Sequence, residues 1–153
     1  RIVLLKGVEQ ESFIFFTNYK SHKGLEMGIH PNVALVFYWK ELQRQVRIEG
    51  SVEKISDQAS IDYFHSRPIE SQLGALASHQ SEVLDNREEL EQRFAALKVQ
   101  YQDQEIPKPA HWGGYAVKPD MIEFWQGRAS RMHDRFRYQL QENNTWKIDR
   151  LNP

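Results

Sequence analysis

Val33-Ala34-Leu35-Val36-Phe37-Tyr38-Trp39, followed by Gln45-Val46-Arg47-Ile48-Glu49-Gly50-Ser51-Val52-Glu53, decides the fold class. The first run is apolar throughout, which predicts a strand covered on both faces. The second alternates. Val46, Ile48 and Val52 point one way, while Arg47, Glu49, Ser51 and Glu53 point the other. A period of two predicts a half-exposed strand, with Gly50 at a bulge or bend.

Working outward, residues 1–8 and 12–17 are β-rich runs joined by a turn, and residues 20–30 form a short helix candidate that stops before Pro31. The opening Arg1-Ile2-Val3-Leu4-Leu5 reads as the middle of a buried strand, so an upstream segment is expected. Downstream, Ser56-Asp57 caps a helix over about 58–67, and Pro68 suits the first position of a second short helix. Asn86 caps a helix over about 87–102, where Leu90, Phe94, Leu97 and Tyr101 recur at helical spacing. Pro107-Lys108-Pro109 is a stiff linker to three strands at about 113–126, 134–141 and 146–151, with Asn143-Asn144 as a hairpin turn. About seven strands with a helical insert (about 57–103) predict one domain over 1–153, mainly β or α+β. The expected form is an antiparallel barrel or sheet with helices on one side.

Composition narrows the chemistry. At 153 residues the chain is long enough for one core and short for two. Twenty Lys and Arg against 21 Asp and Glu argue against a broad nucleic-acid footprint. The absence of cysteine excludes disulfides and thiolate chemistry and suits a reducing cytoplasm. No apolar run approaches the ~20 residues of a membrane helix. The six histidines never fall at metal-ligand spacing, so no metal is expected. Dinucleotide, P-loop and nucleophile-elbow patterns are all missing.

Four stretches gather cations and hydroxyls. Arg1 and Lys6 bracket an apolar run. Phe16-Thr17-Asn18 with Ser21-His22-Lys23 ends a strand and enters a helix, where backbone N–H groups favour anions. In Tyr63-Phe64-His65-Ser66-Arg67-Pro68-Ile69-Glu70-Ser71, Tyr63 and Arg67 share a helical face, and Ser71 falls in the next helix's first turn. Hydroxyls and a guanidinium there form a phosphate cradle. The fourth runs from Trp125-Gln126-Gly127 through Arg131-Met132-His133-Asp134-Arg135 to Tyr138. A solvated hairpin needs no such cluster of arginines and a histidine among aromatics, which suits an anionic, planar ligand. Arg131 and His133, two apart on a strand-like segment, would share a face.

These stretches closely resemble the pyridoxine (pyridoxamine) 5′-phosphate oxidase family. The resemblance rests on Tyr63-Phe-His-Ser-Arg-Pro68, Ser71-Gln-Leu-Gly-Ala75, His79-Gln-Ser81, Arg131-Met-His-Asp-Arg135 and Trp146-Lys-Ile-Asp-Arg-Leu151, which run in the family's order along the chain. It implies an FMN-binding split barrel working as a homodimer, with flavin at the subunit interface. The implied reaction is FMN-dependent oxidation of pyridoxamine or pyridoxine 5′-phosphate by O₂ to pyridoxal 5′-phosphate, releasing hydrogen peroxide, and ammonia from the amine.

By the resemblance, FMN is held by Arg1, Ile2, Val3, Leu4, Leu5, Lys6, Phe16, Thr17, His22, Lys23, Gln45, Gln80, Ser81, Trp125 and Arg135. Substrate is held by Lys6, Tyr63, Arg67, Ser71, Arg131, Met132 and His133, with Arg131 and His133 over its ring in the catalytic role. Two departures stand out. His22 occupies a position where the family carries arginine, which predicts a weaker phosphate cation unless Lys20 substitutes. The family's helix and strand before Arg1 are not in this sequence. Two other readings stay open: a non-catalytic split-barrel protein holding FMN or pyridoxal phosphate, and a related flavin-type reductase.

Overall fold

The computed structural model describes residues 1–153. Seven strands and four helices follow in order: β1 (Gly7–Glu9), β2 (Ser12–Asn18), α1 (His22–Ile29), β3 (Asn32–Trp39), β4 (Arg44–Lys54), α2 (Asp57–Ser66), α3 (Ile69–Ala77), α4 (Arg87–Gln100), β5 (Trp112–Gln126), β6 (Asp134–Leu140) and β7 (Trp146–Arg150). The strands form one antiparallel sheet ordered β1-β2-β5-β4-β3, with β6 and β7 added to β5.

Strand β5 organises the sheet. Along one edge it pairs with β4 from Tyr115 to Gln126. Along the other it pairs first with β2, from Trp112 to Val117, and then with β6, from Met121 to Gln126. The sheet therefore splits at the middle of β5. Here the ladder slips one residue between Glu49 and Gly50, so Asp120 of β5 has no partner on β4. A side chain at Gly50 would collide with the Lys118 carbonyl, which accounts for the glycine.

The slip swaps the face to which alternate β5 residues point. On the inner face Phe15, Val52, Tyr115 and Val117 form a core with Phe13, Leu35, Met27 and Val3 against it. On the outer face of the first half, Trp112 and Phe16 pack under Phe64, Leu73, Phe94 and Leu97 of the helical layer. Local capping sets the helix starts. Ser56 Oγ accepts from the Ala59 amide and Asn86 Oδ1 from the Glu89 amide. Gln141–Thr145 closes the last hairpin, with Asn144 at φ 59°.

Three expectations need correction. Residues 1–6 are not a buried strand. They run extended beside β2 and β3, with Ile2 95% exposed, because β1 and its pairing with β2 begin only at Gly7. Val33–Trp39 is covered on one face only: Val33 and Leu35 pack on the core, while the alternate residues on the other face are left open, with Val36 59% and Tyr38 60% exposed. Pro68 is the N-cap of α3 rather than its first residue, since its φ −52° and ψ 142° are extended.

Candidate functional site

A cavity of about 440 Å³ opens where β2, α2, α3 and the N-terminal segment meet. Its floor is aromatic. Phe16 stacks on Tyr63 at 3.8 Å between ring centroids and on Trp112 at 5.4 Å. Its walls carry Lys6, Lys23, Arg67, Thr17, Ser71 and Gln80. The chain segment Ile2-Val3-Leu4 closes one side.

Two of the cations are held by local structure. Arg67 follows the last residue of α2 in an extended conformation, so it does not share a helical face with Tyr63 as expected; the turn to α3 brings both to the cavity instead. Its guanidinium lies 4.7 Å from the Trp112 ring centroid, and Nη1 is buried with no partner. Burial lowers the Arg67 pKa from its usual value. A buried guanidinium nitrogen lacking a partner is costly by itself and useful beside an anion. Lys23 Nζ donates to Thr17 Oγ1 (2.9 Å) and Ser21 Oγ (3.3 Å), and Thr17 Oγ1 donates to Gln80 Oε1 (3.3 Å). Burial first, and the nearby Arg1 charge second, lower the Lys23 pKa. Three cations, two hydroxyls and an aromatic floor fit a phosphorylated, planar ligand.

The remaining predicted residues lie elsewhere. Gln45, Trp125 and Arg135 form one cross-strand row over β4, β5 and β6. The 13 steps of β5 from Trp112 to Trp125 span about 40 Å, so this row is far from the cavity within one chain. Leu5 lines a groove against Phe13, Phe15 and β3 rather than the cavity. Arg1 is exposed and paired with Glu26 at 2.9 Å. His22, the first residue of α1, and Ser81, at φ 75°, are exposed and outside the cavity wall. Lys20 borders a separate polar hollow with Asn18, His79 and His111.

Arg131 and His133 do not lie on a strand. Residues Ala129–Arg131 form a 3-10 turn with Ser130 and Arg131 at φ 55° and 61°, so the same-face argument fails for them. The turn makes a hook instead. Arg128 N donates to His133 Nδ1 (3.1 Å), which leaves Nε2 to carry the proton of the neutral ring. The His133 ring lies 4.8 Å from that of Trp125. Asp134 braces the hook through Arg128 (2.8 Å) and Arg150 (3.1 Å).

Trp112 also lines the cavity and was not among the expected site residues. The signal lay in Trp112-Gly113-Gly114. A side chain at Gly113 would strike Tyr19, and one at Gly114 would strike Phe16 and Ile55, so the glycines let β2 and α2 close on the tryptophan.

The architecture is shared with solved structures. PhzG from Burkholderia lata 383, solved with tetrahydrophenazine-1-carboxylic acid, matches at TM-score 0.93 and 29% identity, covering all of this chain and 74% of that one. A pyridoxamine 5′-phosphate oxidase-related, FMN binding protein from Nostoc punctiforme PCC 73102 shares the fold at TM-score 0.78 and 16% identity, covering all of this chain and 79% of that one. The fold thus defines a class, the split barrels. Sequence narrows it further. The family signature described as "Pyridoxamine 5′-phosphate oxidase" matches residues 2–101, and that of the "Pyridoxine 5′-phosphate oxidase C-terminal dimerisation region" matches residues 112–153. The pyridoxine/pyridoxamine 5′-phosphate oxidases of Leptospira interrogans (strain Fiocruz L1-130) and Nostoc sp. (strain PCC 7120) are 57% and 56% identical over all 153 residues, which cover 72% of each relative. The chain belongs to the pyridoxine/pyridoxamine 5′-phosphate oxidase family, and it is an oxidoreductase. No helix is long and apolar enough to cross a membrane.

Proposed function

We propose that this chain oxidises pyridoxamine or pyridoxine 5′-phosphate with O₂, at sites shared between the two copies of a homodimer. The observation that carries the reading is the buried, unpartnered Arg67 nitrogen in a cavity wall that also holds Lys6, Tyr63 and Ser71. That set suits the substrate phosphate. Lys23, Thr17 and Gln80, linked to one another, suit the cofactor phosphate. FMN, when bound, supplies hydride acceptance from substrate C4′ and return of both electrons to O₂ as hydrogen peroxide.

The second half of the site comes from the partner. About 40 Å of β5 separates the cavity from the Gln45–Trp125–Arg135 row, so one chain alone cannot offer both sets to one ligand. A second copy, paired through the 112–153 dimerisation region and the exposed Val36 and Tyr38, supplies the missing row and hook. Arg131 and His133 then orient the substrate ring, with His133 donating from Nε2.

Peroxide release on adding pyridoxine 5′-phosphate to the FMN-loaded protein tests the reading. FMN bound with no peroxide formed from either the alcohol or the amine would leave a binding protein and overturn the assignment.

A further inference from the structure

We propose that Glu123 is a positioning residue that sets the Arg135 guanidinium for the cofactor. The inference rests on the reading above, in which Arg135 faces FMN.

Four charged residues lie in one cross-strand row: Arg47 on β4 opposite Glu123 on β5, opposite Arg137 on β6, opposite Asp149 on β7. Charge alternates along the row. Glu123 is its buried member, with a side chain only 5% exposed. Such a carboxylate needs partners, and it has them. Its Oε2 accepts from Arg47 Nη2 at 3.3 Å. Its Oε1 accepts from Arg135 Nε at 2.7 Å.

The second bond is the decisive one. Arg135 stands directly opposite Trp125 in register, yet its Nε reaches diagonally to Glu123, two residues back on β5. Its Nη1 donates to the Asn152 carbonyl at 3.0 Å. Two of the three guanidinium nitrogens are therefore spent inside the protein, and Nη2 has no partner within the chain. A planar fork held at two corners presents its third in a fixed direction, so little rotamer freedom remains to be lost on binding. Without Glu123, the same arginine would keep its charge and lose its aim. The hydrogen bond from Arg135 also holds the Glu123 carboxyl below its usual pKa, so the pair stays ionised at neutral pH.

The test is FMN titration of the apoprotein, followed by flavin fluorescence, with folding checked by circular dichroism. Glu123→Gln is expected to weaken FMN binding at least about tenfold, the loss of one charge-assisted hydrogen bond. Arg135→Ala is expected to weaken it as much or more, and the double variant no further than Arg135→Ala alone, because Glu123 acts through Arg135. Asp149→Asn, which cuts the row between β6 and β7, should stay within about twofold of the parent. FMN affinity of Glu123→Gln within about threefold of the parent would overturn the inference. So would losses that multiply in the double variant, or an equal loss in Asp149→Asn. Arg135→Ala with parental FMN affinity would instead overturn the reading of Arg135 itself, and the inference with it. Should Glu123→Gln fail to fold, Arg135→Lys keeps the charge without the fork. An at least tenfold loss supports the inference, and unchanged affinity overturns it.

Discussion

Arg67 is the residue whose environment says most about its use. Its guanidinium rests on Trp112, burial lowers its pKa, and Nη1 lacks a partner inside the protein. An arginine kept for stability alone would have been given a carboxylate. Arg67→Ala is therefore expected to weaken binding of pyridoxal 5′-phosphate by roughly 2–3 kcal/mol, with FMN binding changed far less. Titration of the same protein with each ligand separates the two phosphate assignments, and equal losses would refute them. Glu123 makes a different prediction at this scale. Its folded pKa lies below the unfolded value, chiefly through Arg135. Its contribution is therefore complete above the ordinary carboxylate range, about pH 4, and drains away as pH falls through the folded pKa. Melting temperatures measured between pH 6 and 3 should fall less steeply on the acid side for Glu123→Gln than for the parent.

Among the elements, β4 and β5 meet at a point that tolerates no side chain. Gly50→Ala drives its methyl into the Lys118 carbonyl and should cost about 1–3 kcal/mol, measured by urea unfolding. Gly28, inside α1, meets nothing within 4 Å of a built side chain, so Gly28→Ala should stabilise by about 0.5–1 kcal/mol. The Gly50 bend was legible in the sequence because a glycine that interrupts an alternating strand marks a bulge or a close backbone approach. Asn86 and Asn143-Asn144 were legible for the same kind of reason: a cap and a turn each need a particular side chain at a particular place. The hook at 129–131 was not. Ser130 and Arg131 adopt left-handed backbone without glycine, which a propensity argument assigns to a strand. Residues 1–6 misled in the opposite way. Their apolar side chains suit a strand, but only the neighbouring cavity and groove account for what they cover. As for the site, its residue types were readable, whereas their division between the two ends of β5 was not, since order along a chain carries no distance across a sheet.

At the scale of the whole molecule, the divided site makes an unusual demand. If each site takes its cavity from one copy and its row and hook from the other, two crippled variants should repair each other. Arg67→Ala lacks the first half and Arg131→Leu the second. Unfolded and refolded together, half of the dimers would be mixed, and each mixed dimer would hold one intact site, giving about a quarter of parental activity. Neither variant alone, nor a mixture never allowed to exchange, should recover any. Light scattering at micromolar concentration should report a dimer throughout. The split of β5 also bears on how the chain comes off the ribosome. β2 ends at Asn18, and apart from its short pairing with β1 its partner begins only at Trp112. At the usual ~5–20 residues per second, translation of the intervening stretch takes about 5–20 s. During that interval the edge of the Phe13–Phe16 run that later meets β5 is unpaired and aromatic, while β3 and β4 can already close on each other as a hairpin. Exposure to aggregation is thus expected to be concentrated before Trp112 is made, when the β5-facing edge of β2 waits for its partner.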